Sequence, residues 1–301
     1  MRNDMNNSGE SRPFISIIMP VYNNERFLPI AVNSVRSQTF PDWELIIIND
    51  GSTDNTARVA DGFAARDQRI RVIHQENHGI FGSYNIGYAA ASGEYAFIVN
   101  SDDTINPDSL KEIHDIAIVD HADIVMFNLS ENLCDEDQNI LTADLYGHKN
   151  LLKEPFSCRG CEEVRKAWPY FLENKLINHQ CVYRETIYKA YTYGKQYYGE
   201  DVLYNQRIAN AVTSAAGTPY VVYNWFLYGV EAMNASSGKY HGYEHQMFNA
   251  FYTGNRDLFA GWGITDPKAM EVIEKERLRH LTNEIRSYLS PQCSLSAEEK
   301  I

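Results

Sequence analysis

The sequence is short of positive charge: 27 lysines and arginines stand against 40 aspartates and glutamates, giving a formal charge of −13 and a pI near 5.1. Without a basic surface the chain lacks the footprint of a nucleic-acid binder and has little to hold it to anionic lipid. Cysteine is scarce as well. The five residues (Cys134, Cys158, Cys161, Cys181 and Cys293) are odd in number and scattered, which fits reduced thiols in a cytoplasm better than a disulfide framework. Cys158 and Cys161 form a CxxC, but no second pair lies at finger-like spacing, so they read as ordinary thiols. No apolar run reaches the length of a membrane span, and the first dozen residues, MRNDMNNSGESR, lack the apolar core of a signal peptide. Residues 1–12 therefore read as a disordered tail, on a protein expected to be soluble and cytoplasmic, peripheral at most at the inner face of a membrane. Two phosphate cradles are also missing. There is no Walker loop, and no GxGxxG follows the first apolar run, so neither a P-loop enzyme nor a dinucleotide dehydrogenase is supported.

What is present is material for a large core: 301 residues, 44% of them hydrophobic and 12% aromatic, enough for an α/β protein with an elaborated second half. Phe14 to Met19 (FISIIM) predicts a strand, closed by Pro20, Val21 and Tyr22. Asn23 or Asn24 can then cap a helix whose Leu28, Ala31, Val32 and Val35 follow i, i+3, i+4, i+7 spacing. Trp43 to Ile48, Ile70 to His74, the apolar part of GEYAFIVNSDD (Gly93 to Asp103) and Asp123 to Phe127 predict further strands alternating with helices. Strands that are nearly continuous in apolar residues imply a mostly parallel sheet with helices flanking both faces. Turn residues and acids recur at the strand ends: Tyr22, then Asp50, then Asp102 with Asp103. In open α/β sheets ligands sit beyond those ends. A carboxylate cluster there needs a cation or a donor-rich ligand, and Mg²⁺ or Mn²⁺ completes its shell with water and substrate phosphates, which predicts a nucleoside diphosphate ligand. On local pattern alone, Asp102 and Asp103 serve equally well as loop acids ahead of the helix after Pro107.

Four blocks in order, SIIMPVYNNERFL (Ser16 to Leu28), IIINDGSTDNT (Ile46 to Thr56), NHGIFGSYNIGYAAASGEYAFIVNSDD (Asn77 to Asp103) and YYGEDVLYNQRI (Tyr197 to Ile208), resemble the family 2 inverting glycosyltransferases of GT-A fold. The resemblance implies a sugar-nucleotide donor, a UDP-sugar above others, a divalent cation, and inverting transfer to a hydroxyl of a glycan or lipid-linked saccharide in surface polysaccharide synthesis. Carried over by position, Pro20, Val21 and Tyr22 match the strand end that covers the nucleobase. Asp50 matches the acid at the base edge, and Asn77 the asparagine near the nucleotide. Asn100, Ser101 and Asp102 match the DxD-like motif, with Asn100 toward the ribose and Asp102 on the metal; Asp103 is a second candidate ligand. Asp201 matches the general base, with Glu200 as its rival. The family often has Asp where this chain has Asn100, and Arg where it has Tyr84. As a neutral ribose contact Asn100 is expected to tolerate replacement by Asp. Those departures also leave open a non-catalytic sugar-nucleotide-binding protein. A sugar nucleotidyltransferase would carry a glycine-rich basic loop near its start, and none is visible.

Residues 13–130 are thus expected to form the nucleotide half, 131–230 the acceptor half carrying the base, and 231–301 a C-terminal helical extension. The stretch from Trp168 to Tyr228 is rich in tyrosine: Tyr170, Tyr183, Tyr188, Tyr191, Tyr193, Tyr197, Tyr198, Tyr220, Tyr223 and Tyr228, joined by Trp225. Such rings suit either an acceptor groove that stacks on sugars or ordinary core packing. Asp266-Pro267 starts a helix whose Met270, Ile273, Leu278, Leu281, Ile285 and Tyr288 form a stripe for packing on the body or on a second copy. His241 and His245 lie where some relatives place a further metal ligand, and read better as core or surface histidines. Preceded by Gly199 and followed by Val202, Leu203 and Ile208, Asp201 is expected at a helix N-terminus, where the positive end of the dipole favours negative charge.

Overall fold

The structure, a computed structural model, describes residues 12–135, 139–143, 152–173, 181–194, 199–228 and 241–289, with 293, 295 and 296. Residues 1–11 of the expected tail, Tyr197, Tyr198 and the start of the C-terminal extension lie outside these residues, whereas Arg12 is held by the Gly93 carbonyl and Glu185.

The first half follows the apolar runs. Strands β1 (Ile15–Val21), β2 (Trp43–Asp50), β3 (Ile70–Gln75) and β4 (Tyr95–Ile98) lie parallel in the order β3-β2-β1-β4. Every residue of β1 is buried, because helices cover both faces. Ile15, Ile17, Met19 and Val21 face a core shared with helices α1 (Leu28–Arg36), α2 (Thr56–Ala64) and α4 (Ser109–Asp120), while Ile18 faces the opposite core with α3 (Gly79–Ala90). That is the period-2 alternation of a strand between two layers. Helix α1 buries Leu28, Ala31, Val32 and Val35, the predicted stripe. Its cap differs from expectation. The helix starts behind Phe27 with Pro29 in its first turn, while Asn23 and Asn24 turn away to bond the loop after β2. Helix α3 lies close on β1 because Gly87 has no side chain: a Cβ there would stand 2.2 Å from Ile18 Cγ2.

The remaining strands complete one sheet whose long ladders are parallel, as predicted, and whose short added pairings are antiparallel: β5 (Thr104–Ile105), β6 (Ile124–Cys134), β7 (Ile140–Ala143), β8 (Phe156–Arg159), β9 (Cys181–Arg184) and β10 (Ser214–Tyr228). The order is β3-β2-β1-β4-β9-β6-β10-β5, with β7 on β6 and β8 on β10. Short β9 wedges between β4 and β6, antiparallel to both, whereas β10 runs parallel to β6 along its length. Helices α5 (Cys161–Glu173), α6 (Glu185–Tyr188), α7 (Glu200–Ile208), α8 (Glu244–Gly261) and α9 (Pro267–Leu289) follow. Helix α9 begins at Pro267 as predicted, but its inner face is Ala269, Val272, Ile273, His280, Glu284 and Ser287. Leu278, Leu281 and Ile285 of the expected stripe are exposed. The face that buries is polar in its second half because Glu284 accepts from the Tyr288 hydroxyl and pairs with His245. Among the described residues no helix is long and apolar enough to cross a membrane.

Candidate active site

The loops after β1, β2 and β4 meet at the C-terminal edge of the parallel strands. Tyr22 follows the buried Pro20 and Val21 and is 52% exposed, an unusual degree for a large ring directly after a core strand. Asn23, in the left-handed region at φ 48°, accepts from the Thr53 amide at 2.7 Å. The Asn24 side chain donates to Ser101 Oγ at 3.0 Å, tying the first loop to the third.

Asp50 is buried, and its carboxylate is engaged at the start of α3. Oδ1 accepts from Gln75 Nε2 at 2.6 Å and the His78 amide at 2.8 Å, and Oδ2 from the Gly79 amide at 2.9 Å. This satisfies amides that a helix N-terminus leaves unpaired. Asn77 is exposed, its Oδ1 accepting from the Gly79 amide at 3.2 Å. Asp50 therefore sets the position of Asn77 and of the whole of α3.

The turn from Asn100 to Asp103 is clamped by the end of β10, which sequence reasoning did not connect to it. The Tyr223 hydroxyl donates to Asp103 Oδ2 at 2.6 Å and accepts from the Asn100 amide at 3.1 Å. The Phe226 amide donates to Asp103 Oδ1 at 2.9 Å, and the Tyr228 hydroxyl to the Asp102 carbonyl at 3.0 Å. The Tyr228 ring in turn stacks on Phe27, centroids 4.3 Å apart. Asp103 is thus buried with both oxygens held by protein donors. Burial, then the neighbouring Asp102 charge, pushes its carboxyl well above the usual range against those hydrogen bonds. Asp102 is different. It is half-buried, burial raises its carboxyl too, and no other described residue donates to its carboxylate oxygens.

Tyr84, on α3, is fully buried and donates to Asn100 Oδ1 at 3.1 Å. Burial pushes its phenol well above the ordinary tyrosine range, and the charges of Asp201, Asp102 and Asp103 act in the same direction. All three carboxylates therefore lie within electrostatic reach of one hydroxyl. Asp201 is carried by the first turn of α7, whose N-cap Gly199 has φ 89°, a conformation that favours glycine. Its neighbour Glu200 is turned inward: 2% exposed, it accepts from the Gly194 amide at 2.6 Å and pairs with Arg207. Glu200 is committed to holding the 191–194 segment, whereas Asp201 is half-buried. Replacing Glu200 by Ala removes the acceptor of the part-buried Gly194 amide and one of two partners of Arg207, which keeps the Thr192 carbonyl. It is expected to cost about 2 kcal/mol, below the usual cost of a broken buried pair because water reaches Arg207. A shift in the denaturation midpoint checks this.

The described tyrosines of this stretch divide between core and surface. Tyr183, Tyr188, Tyr193 and Tyr223 are buried together with Trp168, and Tyr193 stacks on Tyr204 with centroids 4.2 Å apart. Tyr170 and Trp225 are exposed. His241 pairs with the buried Glu244 at the start of α8, and His245 with Glu284. Cys158 ends up in β8 and the exposed Cys161 opens α5. Among the described residues no group of three or more His, Cys, Asp or Glu side chains is placed to hold a metal ion.

A sequence profile of the family described as Glycosyl transferase family 2 matches residues 16–191, more than half of the chain. The chain belongs to glycosyl transferase family 2. The glycosyltransferase GlyG of Streptococcus pneumoniae serotype 4 is 37% identical over 115 residues, covering 38% of this chain and 38% of that protein. The chain thus matches well under half the length of that relative. Among solved structures, S. aureus TarS 1-349 in complex with UDP-GlcNAc superposes with a TM-score of 0.65 at 19% identity, covering 95% of this chain and 77% of that one. The mannosyltransferase PcManGT from Pyrobaculum calidifontis, solved with GDP-Man and Mn²⁺, gives 0.54 at 19% identity, covering 92% of this chain and 72% of that one. The fold is the GT-A-like α/β fold of these glycosyltransferases.

Proposed function

We propose that the chain is an inverting glycosyltransferase, moving a sugar from a nucleoside diphosphate, UDP above others, to a hydroxyl of a glycan or lipid-linked saccharide in surface polysaccharide synthesis. The observation that carries this reading is the turn from Asn100 to Asp103 at the C-terminal edge of the parallel strands, where β10 engages both Asp103 oxygens and no other described residue engages the Asp102 carboxylate. Tyr22, Asp50 and Asn77 line the base end, and Asn100 with Ser101 the ribose end. The residues present fit a divalent cation. Asp102 offers hard oxygen donors that no other described residue engages, beside a second buried carboxylate, and Mg²⁺ or Mn²⁺ needs only one or two protein carboxylates. Asp102 would hold it, with Asp103 as the strut behind; a bound cation would neutralise the donor diphosphate. Asp201 takes the proton from the acceptor hydroxyl as its oxygen attacks the anomeric carbon. The bond to the diphosphate breaks in the same displacement, its electron pair leaving with the phosphate oxygen, and the anomeric configuration inverts.

A thermal-shift screen against UDP-, GDP-, dTDP- and CMP-sugars, with and without Mn²⁺, tests the reading. At a hundredfold excess over Kd a ligand of the native state adds about 2.7 kcal/mol. For a chain of this size that raises Tm by about 5 °C or more. The expected result is a Mn²⁺-dependent rise with UDP-sugars; no rise with any nucleotide sugar overturns the proposal. UDP release from a binding donor then separates an enzyme from a protein that only binds.

A further inference from the structure

The two positions at which the sequence departs from the resemblance, Tyr84 and Asn100, bond each other in the fold. Asn100 is held at three points: Oδ1 accepts from Tyr84, Nδ2 donates to Asp103 Oδ2 at 3.3 Å, and the amide donates to the Tyr223 hydroxyl at 3.1 Å. The Tyr84 ring has no room to swing. It is fully buried and packs against Phe81 and Tyr193, centroids 5.8 and 5.3 Å away. Tyr193 stacks on Tyr204 with ring planes 12° apart, and Tyr204 stands three residues after Asp201 on α7, on the same helix face. A column of rings thus runs from α7 to the Tyr84 hydroxyl and ends on the Asn100 carboxamide.

We infer that Tyr84 is a positioning residue for donor binding: its hydroxyl fixes the Asn100 carboxamide in the orientation that meets the nucleotide, at a set place relative to Asp201. This rests on the reading of the site as a nucleotide-sugar site. A carboxamide has two roughly equivalent orientations about its last torsion. The phenolic donor on one side and the Asp103 acceptor on the other select one of them.

The test is isothermal titration of UDP in the presence of Mn²⁺ into the wild type, Tyr84→Phe, Asn100→Ala, the double variant, and Tyr183→Phe. Tyr183 supplies the control, since its buried hydroxyl donates to Asn205 Oδ1 at 3.0 Å and makes no hydrogen bond to Asn100. Tyr84→Phe keeps the ring and is expected to weaken UDP about three- to tenfold, the worth of one hydrogen bond. Tyr183→Phe lowers the ligand-free Tm comparably but binds UDP as the wild type does. The double variant binds no more weakly than Asn100→Ala alone, because the two residues act as one unit. Wild-type affinity in Tyr84→Phe, additive losses in the double variant, or an equal loss in Tyr183→Phe would each overturn the inference. A wild type that binds no UDP overturns the underlying reading of the site instead.

Discussion

Asp201→Asn is expected to lose on the order of 100- to 10,000-fold in sugar transfer, the usual contribution of a positioned base, while binding the UDP-sugar donor normally. The structure sharpens this expectation by separating Asp201 from Glu200. Glu200 is buried and bonded to the Gly194 amide and Arg207, whereas Asp201 keeps partial exposure in the first turn of α7. Asn retains size and hydrogen-bonding capacity at a helix start, and the interaction of charge with the dipole that it gives up is about 0.3–1 kcal/mol. The melting temperature therefore moves by no more than a few degrees. Steady-state kinetics of UDP release with acceptor, set beside donor titration, make the comparison. Substantial transfer by Asp201→Asn beside an inactive but folded Glu200→Gln would move the base to Glu200.

The second large effect is expected at Asp102. Asp102→Asn keeps the shape of the turn, since the contact holding it there runs from the Tyr228 hydroxyl to the backbone carbonyl. What it removes is a carboxylate charge that no other described residue pairs. Mn²⁺-supported UDP binding is expected to fall by at least about ten- to a hundredfold, the range carried even by outer partners of a metal ligand, with Tm unchanged or slightly raised as one of two adjacent buried charges is relieved. Calorimetric titration with Mn²⁺ and with EDTA checks this. Unchanged affinity and unchanged metal dependence would remove Asp102 from the metal role. Asp103→Asn contrasts with it: there the loss falls on stability, because that carboxylate accepts from Tyr223 and the Phe226 amide.

The parts of the fold legible in the sequence are those written by local pattern. The apolar run at Ile15–Val21 and the i, i+3, i+4, i+7 spacing of α1 need no distant residue to be read. The place of β9 between β4 and β6 is another matter, because its four residues pair with strands far away in the chain and turn the sheet mixed. Tyrosine defeats the reading for a different reason: a ring with a polar tip suits a wet groove and a dry core equally. The burial of Tyr183, Tyr188 and Tyr193 is decided by tertiary packing. At the site, the acids at the strand ends were visible, but their division of labour was not. That Asp103 faces inward depends on Tyr223 and Phe226, and that Glu200 does depends on Gly194 and Arg207. The Asn100 bond to Asp103 also bears on one expectation. A carboxylate at 100 cannot donate there, so tolerance of Asp at this position requires Asp103 to carry the proton between them.

The clamp of β10 on the donor turn has a consequence in time. Tyr223 reaches Asp103 across a separation of 120 residues. At roughly 5–20 residues per second, the strand leaves the ribosome on the order of ten seconds after the turn it holds. Through that interval Asp103 is without the donors that its burial requires, so the nascent first half has reason to keep this corner open to water. The corner can close only once β10 has emerged and paired along β6.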